Sequence, residues 1–142
     1  MATSFDRKSI TLEAAQNMIN AAAQKAREIG VPMVIAIVDP DGTLKAYSRM
    51  DGAALLSVRV AQQKAWTAVS FNTPTHGLWE FVKEDPPLLA SLPHQENMIL
   101  FGGGYPITVG GQLIGGIGVS GGHYTQDQQC AEAGLAAVRA EQ

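Results

Sequence analysis

The sequence predicts an α/β protein of the α+β sandwich kind, with helices packed on one antiparallel sheet. Three observations predict it. Apolar residues recur at helical spacing near both ends of the chain. Short β-branched runs lie between them. The turns joining those runs are too tight for parallel crossovers, so neighbouring strands pair antiparallel.

The first helix is bounded by Thr11 as N-cap and Gly30 just past its end. Leu12, Ala15, Met18, Ile19, Ala22, Ala26 and Ile29 form its apolar stripe. The run Val31 to Val38 reads as a buried strand. Asp39-Pro40-Asp41-Gly42 is a turn, and Thr43 to Met50 alternates as a second strand, closing a hairpin. From Ala54 to Val69 a second helix gathers Ser57, Ala61, Lys64, Ala65 and Ala68 on one face of mostly small side chains.

Residues 70–97 are the least regular stretch, with Pro74, Asp85-Pro86-Pro87 and Pro93. A short helix is expected around Leu78 to Lys83, and ordered loop otherwise. A loop this long in a small domain is usually functional or an interface. Three further strands are expected, at Met98 to Phe101, Tyr105 to Val109 and Leu113 to Ser120, making a five-stranded sheet. Thr125 and Gln128 fit a capping box that opens the last helix, with Asp127 in its first turn.

Composition narrows the function classes. The 142 residues predict a single domain over 1–142. Apolar residues are 46% and charged residues 16% of the chain, which fits a packed core and excludes a disordered protein. A net charge of -3 leaves no basic footprint for nucleic acid or an acidic membrane. Cys130 is the one cysteine, so no internal disulfide forms. MATSFDRKSI lacks the apolar core of a secretory signal, and no apolar run reaches the length of a membrane span. A cytoplasmic location is expected.

Ten of the fifteen glycines lie between Gly102 and Gly122. Gly116 to Gly121 matches G-x-G-x-x-G, but the βαβ unit and the following acidic residue of a dinucleotide site are missing. Glycine in a central strand implies close approach by some other group, either a packed helix or a ligand. His76, His94 and His123 show no metal-ligand spacing. His123 is the preferred ligand or acid/base, because glycines and a helix N-terminus flank it. Arg49 ends a strand before a turn. Lys64 sits on an alanine face, where it either snorkels outward or anchors a carboxylate. Ser120, His123 and Asp127 lack the context of a nucleophile elbow.

Several stretches together resemble the GlcG/HbpS/PduO C-terminal family. They are ITLEAAQNMINAAAQKAREIG, VPMVIAIVDPDGTLKAYSRMDGA, SVRVAQQKAWTA, FGGGYPITVGGQLIGGIGVSGG and QDQQCAEAGLAAV. The resemblance covers most of the chain outside the N-terminus and the middle loop. It implies a profilin-like sandwich with a central antiparallel sheet, and homo-oligomers that are even-numbered, up to octamers. It carries Asp39, Gly42, Arg49, Lys64, Gly104, Gly118, Gly121 and Asp127 as pattern positions, but no shared axial ligand.

The function so implied is haem binding or haem handling. Haem needs only one or two axial ligands, so histidine spacing does not test it. His123 or a loop histidine would ligate the iron. Arg49 and Lys64 would meet the propionates, with Gly104 and Gly121 beside the cofactor. The alternative is a small-molecule enzyme, an isomerase, lyase or hydrolase acting on a carboxylated or carbonyl compound. There Lys64 or Arg49 would hold the anion and His123 with Asp127 would move protons. A non-catalytic oligomeric binding module is the third reading.

Overall fold

Val34, Ile35, Ala36, Ile37 and Val38 are all buried, so this strand, β1, is covered on both faces. The computed structural model describes residues 1–140. Around β1 lies a four-stranded sheet of order β2-β1-β4-β3, with β2 Leu44–Arg49, β3 Gly104–Val109 and β4 Gln112–Ser120. Every pairing is antiparallel. Helices α1 (Leu12–Ile29) and α5 (Tyr124–Ala140) cover one face, and α2 (Leu55–Phe71) covers the other. Among the described residues, no helix is long and apolar enough to cross a membrane.

Local sequence accounts for most of these elements. The Thr11 side chain accepts a hydrogen bond from Ala14 N at 3.1 Å, which caps α1. Gly30 closes it at φ +74°, a left-handed conformation that glycine adopts without strain. Alternation along β1 sends Ile35 and Ile37 to the α1/α5 core, with Met18, Met33, Ile117 and Val119. Val34, Ala36 and Val38 face α2, against Ala61, Ala65 and Val69. Cys130 is fully buried on α5, and that burial pushes its thiol up to about 11.

The glycines of β4 have a packing explanation. A Cβ on Gly116 would lie 2.8 Å from Ala65 O, and one on Gly118 would lie 2.6 Å from Ala65 N. The α2 backbone therefore rests directly on the sheet, which its own alanines also permit. The G-x-G-x-x-G string lies largely inside β4, with helix α2 packed over Gly116 and Gly118.

Three expectations need correction. Residues 98–101 are not a strand, so the sheet has four strands, not five. Thr67 of α2 takes their backbone bonds instead: its hydroxyl donates to Asn97 O at 2.6 Å and accepts from Ile99 N at 3.0 Å. Asn97 at φ +66° and Gly103 at φ +123° bend the chain on either side. The middle stretch is also more helical than expected. It holds α3 (Thr75–Val82), α4 (Pro86–Ser91) and a 3-10 turn at Leu92–His94. Asp85 caps α4 by accepting from Leu88 N, and Pro86 pre-sets its first turn. Finally, α5 starts before Thr125. Gln126, not Gln128, reaches back to accept from His123 N at 3.0 Å.

Gly118→Ala should destabilise the protein by about 3 kcal/mol, because the new methyl meets helix backbone that cannot rotate away. Urea unfolding would show this as a lowered midpoint with an unchanged slope. A variant as stable as its parent would contradict this seating of α2.

Candidate functional site

Lys64 lies in the middle of the α2 face that rests on the sheet, and it is fully buried. Its ammonium is 2.6 Å from Asp127 Oδ2 and donates to Val119 O at 2.8 Å. It also stands 4.8 Å from the centre of the Phe101 ring, within cation–π range. Asp127, in the first turn of α5, is 1% exposed, and its Oδ1 accepts from Gly122 N at 3.0 Å. Burial drives the Lys64 pKa down and the Asp127 pKa up. Each group's charge and hydrogen bond oppose the shift of the other. The carboxylate that Lys64 holds is thus an internal one.

Above this pair opens a cleft of about 560 Å³. Helix α3 contributes His76, Trp79 and Glu80, the segment before β3 contributes Leu100, Phe101 and Gly102, and α5 contributes Tyr124. Helix α3 is fixed at its first residue, where the buried Thr75 hydroxyl accepts from Gly104 N at 3.0 Å. The His76 ring meets Tyr105 edge-on, with centroids 5.5 Å apart. Tyr105 is held in turn by donating to Glu132 Oε1 at 2.7 Å. Burial and Glu132 together push the Tyr105 pKa well up. His76 Nδ1 is sealed from solvent and has no hydrogen-bond partner. The nitrogen that can meet a molecule in the cleft is therefore Nε2.

The predicted site residues fall in three places. Lys64 and Asp127 come together beneath the cleft. His123 stands beside it, exposed, with Nδ1 2.9 Å from Thr125 Oγ1 and the ring 4.0 Å from that of Tyr124. Tyr124 lines the cleft and His123 does not. Both Asp127 oxygens are engaged elsewhere. Arg49 is exposed on β2, at the opposite edge of the sheet from β3, and does not line the cleft. Gly104 packs against Thr75 and the Lys64 backbone, and Gly121 packs against Met33. Among the described residues, no group of three or more His, Cys, Asp or Glu could hold a metal ion.

Sequence reasoning noticed His76 only as a loop histidine and missed Trp79, Phe101 and Tyr124 as a set. The available signal was the string Thr75-His76-Gly77-Leu78-Trp79, which at helical spacing puts Leu78 and Val82 inward and His76 with Trp79 on a neighbouring face.

Lys64→Met should cost about 3–5 kcal/mol, because it strands a buried carboxylate. Adding Asp127→Asn, which keeps an acceptor for Gly122 N–H, should restore most of that loss. A double variant as unstable as the single one would show that the stranded charge is not the cause.

Comparison with known proteins agrees with the architecture. A family model described as "Haem degrading protein HbpS-like" matches residues 10–136. The chain is 40% identical over 138 residues to the corrinoid adenosyltransferase PduO of Citrobacter freundii, covering 96% of this chain and 41% of that protein. It thus spans about two fifths of that relative. The crystal structure of Klebsiella pneumoniae protein ORFY superposes with a TM-score of 0.90 at 38% identity, covering 99% of this chain and 97% of that one. A crystal structure of a PduOC:heme complex superposes at 0.84 with 39% identity, covering 91% and 94%. With the whole sheet and the buried Lys64–Asp127 pair inside the matched span, the chain belongs to the HbpS-like family.

Proposed function

We propose that the chain is a haem-binding, haem-handling protein, and that the cleft over the Lys64–Asp127 pair receives the macrocycle with His76 as axial ligand. The observation that carries this reading is the His76 imidazole in the wall of a cleft lined mostly by apolar and aromatic side chains. Its Nδ1 is sealed and its ring fixed by Tyr105, while Nε2 has no partner among the described residues. A neutral imidazole with the proton on Nδ1 presents its lone pair from Nε2, the form that iron requires. Trp79, Phe101, Leu100 and Tyr124 offer flat, apolar contact for a porphyrin face. The relative captured with haem supports the same ligand class.

In this reading each residue has a defined task. His76 holds the iron, and Tyr105 with Glu132 holds the His76 ring. Lys64 and Asp127 keep Phe101 and Gly103 in place without touching the ligand. No acceptor awaits Nδ1–H, so the imidazole lacks the partner that usually raises ligand basicity. When bound, haem supplies iron that can change oxidation state or take a small axial molecule. The protein acts in the cytoplasm, where a lone thiol such as Cys130 stays reduced. It assembles as an even-numbered homo-oligomer, which the exposed Phe81 of α3 supports as unpartnered apolar surface.

Hemin titrated into the full chain should give a Soret band. His76→Ala should weaken binding more than about tenfold, and His123→Ala should leave it within a factor of about two. A flat titration with folded protein would overturn haem binding. Loss of the band in His123→Ala alone would move the ligand to His123 and overturn the His76 assignment.

A further inference from the structure

A second cleft, of about 360 Å³, opens on the other side of α2 from Lys64's neighbourhood. Val38, Gly42 and Leu44 line it from the β1–β2 hairpin. Val58, Arg59, Gln62, Gln63 and Trp66 line it from α2, and Asn97 completes it. From this arrangement we infer that the cleft is a binding site for a small planar carboxylate, a single ring bearing one carboxyl group.

The charge points to an anion. Arg59 makes no ion pair or hydrogen bond among the described residues. The nearby acidic groups are already engaged. Asp39 Oδ1 accepts from Asp41 N and Thr43 N at 2.8 and 3.1 Å, and Asp41 pairs with Arg7. Glu96, next to Asn97, is exposed and does not line the cleft. The cleft therefore carries one uncompensated cation. Its guanidinium fork matches the two oxygens of a carboxylate. A phosphate dianion would call for more charge than one arginine brings.

The remaining donors converge on the same space. The Gln63 amide, the Trp66 indole N–H and the Asn97 amide have no partners among the described residues. Asn97 is held at φ +66°, unusual for a residue other than glycine, by the buried Thr67 hydroxyl on its carbonyl. The ring of Trp66 is fixed in turn. A Cβ on Gly42 would lie 2.6 Å from its Cδ1, so the hairpin turn packs directly on the indole edge. The indole and the aliphatic side chains of Val38, Leu44 and Val58 define a slot suited to one flat ring. The volume lies at the lower end of the range for small-molecule sites.

Benzoate is the probe. In ¹⁵N-labelled full chain, the Trp66 indole N–H resonance, assigned with Trp66→Phe, should shift on adding millimolar benzoate. Benzamide, which has the same shape without the charge, should bind at least about tenfold more weakly, since hydrogen bonds to charged groups are the stronger ones. Arg59→Met should lose benzoate to the same extent while keeping the parent's circular dichroism. His76→Ala should bind benzoate as the parent does, which keeps this site independent of the haem cleft. A Trp66 resonance unmoved by benzoate would overturn the inference. So would equal shifts with benzamide, or full retention in Arg59→Met.

Discussion

The ion pair between Lys64 and Asp127 is the constraint on which the rest of the arrangement depends. Taking two charges out of water is costly, and only full satisfaction of both ions makes it tolerable. Here the ammonium has the carboxylate, the Val119 carbonyl and the Phe101 ring, and the carboxylate has Gly122 N–H besides. Those partners come from α2, β4, the turn before α5, α5 itself and the segment leading into β3. The pair also explains a glycine: a Cβ on Gly103 would lie 2.6 Å from Lys64 Nζ, in space the ammonium needs. A purely apolar plug at this point would pack as well but would not select one docking of α5 against α2. The orientation of charged hydrogen bonds does select it.

What the sequence made legible was mostly local. Thr11, Gly30 and the Asp39 to Gly42 turn act within a few residues of themselves, so pattern and chemistry agree there. Lys64 stood out because an alanine face is a poor place for a solvated cation. Its partner lies 63 residues away, and spacing carries no trace of that. The strand expected at 98–101 failed for a related reason. Its apolar content suits a strand, but the side chain of Thr67, from a distant helix, satisfies its backbone before a neighbouring strand can. The glycines of β4 signalled a close approach, and only packing could decide that the approaching group is a helix.

The cleft was less legible because its parts are each ordinary. Trp79, Phe101 and Tyr124 come from α3, a bent segment and the start of α5, and each is a little over two-fifths exposed. Single exposed aromatics are common on protein surfaces. They become a site only because Thr75, Lys64 and Asp127 bring the three backbones together. The buried polar contacts beneath the cleft set its shape, and the aromatic rim sets its chemistry.

That division has a consequence for how a large, doubly anionic ligand would sit. Glu80 is the only charged residue lining the first cleft, and it is paired with Lys83 at 2.6 Å. Lys64 is committed to Asp127, and Arg49 stands at the far edge of the sheet. Propionates pointed inward would meet no cation, and burying them would cost several kcal/mol each. The apolar walls therefore favour a porphyrin whose hydrophobic edge enters first, leaving the propionates at the open mouth in water. In that orientation selection comes from ring shape and iron ligation, with little help from charge. Affinity should then vary only weakly with salt, whereas a site built on cations for the propionates would weaken steeply as salt screens them.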